Sequence, residues 1–215
     1  RTINTGNTYQ KVVLIFDLGT TGDGSANFTW LFDDIRLTNQ MPVGVLALPV
    51  TFDLPGVNYE VTDFGCTVSV PATDPTNGAN NVKKTTKTGG AQTWAGTTIG
   101  ANFNAPIGFT ATKTQMSIRV YSPAAGLRVR LKVEDKTNPA RSVETEAMTQ
   151  AANTWETLVF DFATPSIGTA SMNLAYTYDM ASVFFFFFYN GTGSVFYWDD
   201  VSFLAANVIP NYLTL

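Results

Sequence analysis

The chain has 215 residues, of which 45% are hydrophobic and only 14% are charged, so it can bury a sizeable core. The formal net charge of −4 argues against nucleic acid as a partner, and no apolar run reaches the roughly 18 residues that a membrane span requires. The sequence contains no histidine, which excludes catalytic triads with a histidine base and zinc sites built on histidine. Cys66 is the only cysteine, so no disulfide can form within the chain.

A stretch near the start of the chain recurs near its end. Residues 29–37 read Thr-Trp-Leu-Phe-Asp-Asp-Ile-Arg-Leu, and residues 195–203 read Val-Phe-Tyr-Trp-Asp-Asp-Val-Ser-Phe. The two Asp-Asp pairs lie 166 positions apart (199 − 33), and similar segments rich in glycine and threonine precede both. A single domain with two similar hairpins is the alternative to a repeat. We interpret the chain as the last strands of a preceding repeat (1–37), a linker (38–48), one complete module (49–204) and the start of the next linker (205–215).

Alternating apolar and polar residues dominate the chain, and no sustained helical period is present. Short alternating segments separated by Gly, Asn, Asp and Pro clusters are typical of an all-β sandwich. Turn-forming residues predict a loop over 71–80 and hairpin turns at 124–126 and 138–140. We predict strands near residues 50–53, 58–63, 66–70, 81–88, 92–99, 114–121, 127–135, 142–149, 155–162, 170–177, 182–188 and 195–203.

Five consecutive phenylalanines, Phe184 to Phe188, form the most unusual segment. A pleated strand would place Phe184, Phe186 and Phe188 on one face and Phe185 and Phe187 on the other. One set can fill the core, and the other must be covered, because a bare aromatic edge promotes aggregation. The simplest expectation is that the whole run is buried between two layers.

Three segments, in their order along the chain, resemble carbohydrate-binding modules of the jelly-roll β-sandwich type: residues 51–53, 155–161 and 197–201. Other segments resemble modules repeated in secreted proteins of marine Bacteroidetes, which accompany laminarin-degrading systems: residues 92–98, 128–135 and 142–146. The resemblance covers about residues 49–204, and also the partial module at 1–37. It implies an all-β jelly-roll sandwich of two antiparallel sheets, located outside the cell or on its surface.

The same resemblance implies that the chain binds a polysaccharide and is not an enzyme. Asp199 and Asp200 are adjacent in one predicted strand, so their side chains diverge and cannot face each other across a glycosidic bond. The competing hypothesis is structural: a repeat in a long surface adhesin or filament, which contacts neighbouring modules of the same chain and needs to bind nothing else.

Six residues are candidates for sugar binding. Trp94 lies in a Gly- and Thr-rich segment, where its ring could stack on a sugar. The others lie on the outward faces of two strands that we expect a short turn to make neighbours: Arg119, Tyr121, Arg130, Lys132 and Glu134. A neutral β-glucan such as laminarin is the ligand that the resemblance implies, and an anionic algal glycan is the alternative that the charges favour.

Asp53 and Asp199 are candidate ligands for a structural calcium ion. In a jelly roll the first and last strands lie together, so these carboxylates could converge, and hard oxygen ligands suit Ca²⁺. Alternation predicts that Asp199 points inward with Val201, whereas Asp200 points outward. The alternative is that the carboxylates are hydrogen-bonded to backbone amides.

Overall fold

The structure, a computed structural model, describes residues 44–206 continuously and, before them, residues 13, 14, 16 and 21–23. The chain divides into two units, residues 1–40 and 41–215, and every strand described below belongs to the second unit. No described strand falls within residues 1–37, so the interpretation of these residues as the end of a preceding repeat stays a prediction. No helix in the described part of the chain is long and apolar enough to cross a membrane.

Within residues 44–206 the second unit is built from ten β-strands. They are β1 (Val61–Phe64), β2 (Thr67–Asp74), β3 (Asn77–Lys87), β4 (Gly96–Ile99), β5 (Gln115–Tyr121), β6 (Arg128–Asp135), β7 (Asn138–Met148), β8 (Trp155–Asp161), β9 (Met180–Phe185) and β10 (Ser194–Phe203).

These strands form two antiparallel sheets of five strands each. The first sheet has the order β1-β4-β9-β6-β7, and the second has the order β2-β3-β10-β5-β8. Most connections carry the chain from one sheet to the other, and only β2–β3 and β6–β7 are hairpins within one sheet among the described strands. The predicted all-β jelly-roll sandwich is confirmed.

The core lies between the two sheets because alternate residues of each strand point inward. Val129, Leu131 and Val133 of β6 are fully buried, as the alternation in the sequence predicted. Phe185 of β9 stacks on Phe196 of β10 with ring centroids 4.7 Å apart, which joins the two sheets. The intervening residues of each strand therefore point to the outer surfaces of the sandwich.

Both hairpins contain the same turn, Asp-x-Thr-Asn, which the sequence analysis missed. Asp74 accepts hydrogen bonds from the backbone N–H and the hydroxyl of Thr76, both at 2.7 Å. Asp135 accepts the same pair from Thr137 at 2.8 and 2.6 Å. The strand register shifts immediately before each aspartate, and two residues connect the strands. The predicted loop at 71–80 was therefore wrong, as was the placement of the second turn at 138–140.

The five phenylalanines do not form one strand, because β9 ends at Phe185. Phe186 and Phe188 adopt positive φ values of 50° and 75°, a region that bulky residues seldom occupy, and the chain leaves the sheet there. Phe184 and Phe185 are buried, whereas 68% of Phe188 is exposed. Burial of the whole run was a wrong expectation. The predicted strand at 170–177 is also absent, since these residues form a loop.

The end of the predicted linker packs on the sandwich. The backbone N–H of Asn104 donates to the carbonyl of Leu46 at 2.8 Å. Val50, which is fully buried, exchanges two backbone hydrogen bonds of 2.9 and 3.0 Å with Val201 of β10. The first and last segments of the module therefore lie side by side, as predicted, although residues 50–53 form a single bridge and no strand.

Candidate functional site

The structure separates the strand residues that the sequence predicted to act together. Arg119 and Tyr121 lie on β5 of the second sheet. The other three lie on β6 of the first sheet: Arg130, Lys132 and Glu134. The prediction that these strands are neighbours is wrong, because the connection between them crosses from one sheet to the other. The two groups point to opposite outer surfaces of the sandwich.

The outer surface of the first sheet, called the first-sheet face below, carries a row of polar side chains. Strand register aligns Thr62 of β1, Thr98 of β4, Ser182 of β9, Lys132 of β6 and Glu144 of β7. The hydroxyls of Thr98 and Ser182 lie 2.9 Å apart. Because neighbouring strands are about 4.8 Å apart, this polar row spans roughly 19 Å of hydrogen-bonding groups.

Aromatic rings lie beside the polar row on the same face. Trp94 and Phe64 are stacked with centroids 6.3 Å apart and an interplanar angle of 15°. Phe64 meets Phe184 edge-on at 5.5 Å, and Phe184 meets Phe187 at 5.7 Å. Gly96 lies beneath, where a Cβ atom would come within 2.8 Å of both Phe64 and Phe184. We call these four rings the aromatic row.

The aromatic row ends in an exposed rim. Trp94 is 52% exposed, and the neighbouring Phe188 and Tyr189 are exposed as well. The backbone N–H of Phe188 donates to the carbonyl of Thr93 at 3.0 Å, which ties the loop of Trp94 to the loop of Phe188. Flat, exposed rings at one end of a polar row are a surface on which a sugar ring can pack.

A buried lysine supports this rim from inside the sandwich. Lys87 is 1% exposed, and its Nζ donates to the carbonyls of Thr93 at 3.3 Å and Phe186 at 3.0 Å. Burial lowers the pKa of Lys87 to about 8. Its ammonium therefore joins the two loops that carry the exposed rings.

Arg130 links the aromatic row to the neighbouring carboxylates. Its guanidinium carbon lies 3.8 Å from the ring centroid of Phe187, a cation–π geometry. The same guanidinium donates to Glu144 at 2.7 Å and to Glu146 at 2.8 Å. Arg130 is thus fixed in place from three sides, with its side chain 13% exposed.

The charges of β6 and β7 on this face balance one another. The two strands carry three cations and three carboxylates on this face, and each cation forms an ion pair. The pairs are Arg128 with Glu146 at 3.3 Å, Arg130 with Glu144 and Glu146, and Lys132 with Glu134 at 2.5 Å. The sequence had paired three cations with a single acid, because Arg119 was counted on this side and the two acids of β7 were not. The strands therefore present hydrogen-bonding groups without a net charge.

Arg119 and Tyr121 belong to a closed network on the opposite face. The guanidinium of Arg119 lies 4.0 Å from the ring centroid of Trp155, and Tyr121 contacts the same ring edge-on at 5.7 Å. Asp74, which is 4% exposed, accepts hydrogen bonds from Trp155 Nε1 at 2.8 Å and from Arg119 at 3.3 Å. Burial raises the pKa of Asp74, but its hydrogen bonds with Thr76 and Trp155 outweigh burial and hold that pKa well below its ordinary value.

Asp199 does not share a face with Val201, contrary to the prediction. Asp200 has a φ of 50°, and the register between β10 and β5 shifts at this point, which reverses the alternation. Trp198 and Val201 point into the core. Asp199 is the cross-strand neighbour of Arg119 on β5, points to the outer side of the sheet and is 2% exposed.

Hydrogen bonds engage the two carboxylates that were predicted to bind calcium. Asp199 Oδ2 accepts from Asn80 Nδ2 at 3.0 Å, and Asp53 Oδ1 accepts from Asn81 N and Nδ2 at 3.1 and 2.9 Å. Burial raises the pKa of Asp199 to about 6. Within the described residues, no group of three or more acidic or cysteine side chains could hold a metal ion. Calcium binding stays a prediction. The hydrogen bond from the backbone N–H of Asn81 to Asp53 agrees with the alternative, in which backbone amides bind the carboxylates.

No family model and no curated protein matches the sequence. Part of an exo-β-agarase is similar in structure with a TM-score of 0.53 and 8% identity, covering 76% of this chain and 26% of that chain. The family 11 carbohydrate-binding module of Lic26A-Cel5E from Clostridium thermocellum has a TM-score of 0.47 and 12% identity, covering 75% of this chain and 94% of that one. The CBM22-1 xylan-binding domain of Xyn10C from Paenibacillus barcinonensis has a TM-score of 0.44 and 13% identity, covering 71% and 88%. At these identities the likeness to the agarase concerns the fold alone.

Proposed function

We propose that the first-sheet face binds an extended polysaccharide outside the cell and does not cleave it. The observation that carries the proposal is the polar row running beside the aromatic row, with Trp94 exposed at its end. Sugar rings present flat C–H faces that pack on aromatic planes, while their hydroxyls bond to donors and acceptors. A surface of roughly 19 Å suits several consecutive sugar units more than a single one.

The balanced charges favour a neutral glycan. Each cation of β6 on this face already has a carboxylate partner, so an anionic chain would have to displace Glu134, Glu144 or Glu146. A neutral glucan requires no such exchange. We therefore favour a β-glucan such as laminarin over an anionic algal glycan.

The carboxylates of the face support binding without catalysis. Hydrolysis of a glycosidic bond needs two carboxyl groups on opposite sides of the bond. Glu144 and Glu146 instead lie on one strand and both bind Arg130, so they do not face each other across a substrate.

A structural role in a tandem array is the second candidate. The Asp-Asp stretch occurs twice in the sequence, at residues 33–34 and 199–200, and this repeat favours an array of modules along one chain. In that case the sandwich would serve as a spacer between neighbouring modules, and its outer faces would bind no glycan.

Affinity electrophoresis in native gels distinguishes these candidates. The gels contain laminarin, mixed-linkage β-glucan, alginate or a sulfated galactan. We expect retardation by neutral glucans that salt does not change, since stacking is insensitive to screening. Trp94→Ala should remove the retardation, and Tyr197→Ala, an aromatic substitution on the opposite face, should not.

Two outcomes would contradict the proposal. Retardation by the anionic glycans alone, lost at high salt, would show that charge and not stacking governs binding. Normal migration of the folded protein in all four gels would favour the structural repeat.

A further inference from the structure

A second recessed surface lies where residues 52–61 pass along the end of the second sheet. It consists of two adjoining cavities of about 480 and 310 Å³, which share the lining residues Tyr59, Pro71 and Lys83. Most of the opposite wall comes from β2 and β3, strands of the second sheet, so the cavities are separate from the first-sheet face. Cavities of this size hold small organic ligands. We call this surface the edge groove.

Lys83 lines both cavities, and its ammonium has N–H donors that remain available to a ligand. The residue is 4% exposed, and its Nζ donates to the carbonyl of Tyr59 at 2.9 Å. The ammonium lies 5.3 Å from the ring centroid of Phe52. An ammonium carries three N–H donors, and the described residues supply a hydrogen-bond acceptor for one of them. A buried ammonium is costly unless it is hydrogen-bonded, so a ligand that accepts the remaining donors would bind favourably.

Two aromatic side chains form a fixed wall of the groove. Phe52 has a φ of 58°, which is rare for a bulky residue and is tolerated where the surroundings hold it. Its ring meets Tyr59 edge-on at 5.3 Å and Trp198 at 5.1 Å. Strained backbone of this kind is concentrated at binding sites. The wall is therefore placed before any ligand arrives.

We infer that the edge groove binds the terminal unit of a neutral oligosaccharide. The aromatic wall offers a surface for a sugar ring, while Lys83, Asn81 and Thr73 offer hydrogen bonds to its hydroxyls. Glu60 lines the smaller cavity, and the charges of Glu60 and Asp63 already act on Lys83. An acidic sugar would be repelled by these carboxylates, because like charges at close range are unfavourable.

The edge groove and the first-sheet face would therefore bind different parts of a glycan. Two small cavities of about 480 and 310 Å³ suit a chain end, whereas the extended first-sheet face suits the interior of a chain. Because the two sites share no residue, the inference about the groove does not depend on the function proposed for the face.

Titration of the full chain followed by ¹H–¹⁵N NMR tests the inference. Laminaribiose and cellobiose are added up to about 10 mM, a range suited to millimolar affinity, with glucuronic acid as the anionic comparison. We expect both neutral disaccharides to shift the amide signals of Tyr59, Asn81 and Lys83. Thr73→Trp should fill the larger cavity from an exposed position. The affinity measured from these shifts should then fall at least about tenfold. Thr73→Ser, which leaves the cavity open, should not.

Trp94→Ala separates this site from the first-sheet face. In that variant the groove signals should shift as in the wild type, even if binding to the face is lost. The inference is overturned if neither disaccharide shifts the groove signals, or if the shifts persist in Thr73→Trp. A stronger response to glucuronic acid would also overturn it.

Discussion

Asp74 and Asp135 offer a matched test of what the second-sheet network contributes to stability. Both carboxylates cap the same Asp-x-Thr-Asn turn through the backbone N–H and hydroxyl of the threonine. Only Asp74 also accepts hydrogen bonds from two distant strands, from Trp155 of β8 at 2.8 Å and from Arg119 of β5 at 3.3 Å. Asp135 also pairs with Arg141 of its own hairpin at 3.2 Å, so the difference between equivalent substitutions reports how far the contacts with β5 and β8 exceed that pair.

We expect Asp74→Ala to reduce the free energy of unfolding by about 3–5 kcal/mol. The substitution removes a charged acceptor and leaves the indole N–H of Trp155 and the guanidinium of Arg119 without it. Asp74→Asn keeps an acceptor but loses the charge, so its cost should be about 2 kcal/mol. Asp135→Ala should cost less than Asp74→Ala, because besides the turn it loses only one ion pair, with the half-exposed Arg141 of its own hairpin.

The pH dependence gives an independent check. The folded-state pKa of Asp74 lies below its ordinary value of 3.8, so its stabilising effect is complete above that value and is lost as the pH falls below it. Urea unfolding followed by far-ultraviolet circular dichroism at pH 7 and pH 3 measures both effects. Equal losses in Asp74→Ala and Asp135→Ala, or an unchanged acid sensitivity in Asp74→Asn, would refute the reasoning.

Three further predictions concern charged side chains. Asp199→Asn removes a carboxyl whose pKa is raised by burial to about 6. As the pH rises from 4 to 7, the free energy of unfolding of the wild type should therefore fall by up to about 3 kcal/mol relative to the variant. Urea unfolding measures this difference. If Asp53 and Asp199 hold calcium, a chelator should lower the melting temperature and Asp199→Ala should abolish the difference, whereas equal melting with calcium and chelator would leave only the hydrogen bonds. Lys87→Met should speed hydrogen exchange of the Phe188 amide and weaken glucan binding, since it releases the loops of the rim. Lys83→Met, on the same strand but remote from these loops, should leave hydrogen exchange of the Phe188 amide unchanged.

The sequence predicted the fold class because each strand carries its own alternation. Val129, Leu131 and Val133 identify the inner side of β6 without knowledge of any other strand. Alternation does not say which strands pair. The connection between β5 and β6 is short enough for a hairpin, yet it crosses between sheets, and this error placed Arg119 on the wrong side. The Asp-x-Thr-Asn turn marks both hairpins, so it was a usable signal in the sequence.

Local backbone conformation explains the other errors. Positive φ values at Phe186, Phe188 and Asp200 end or shift the alternation, and bulky or charged residues give no advance sign of that conformation. The polar row was missed for a different reason. Thr98 and Ser182 are ordinary surface residues in the sequence, and only strand register brings them together.

Isothermal titration calorimetry with laminarin and mixed-linkage β-glucan tests the central claim most directly. Wild-type protein should bind a neutral glucan with micromolar to millimolar affinity, roughly −4 to −8 kcal/mol, and salt should not change it. Trp94→Ala should weaken binding at least about tenfold, and Tyr197→Ala on the opposite face should leave it unchanged. Equal weakening by the two substitutions, or no heat of binding from folded wild-type protein, would contradict a glycan-binding first-sheet face.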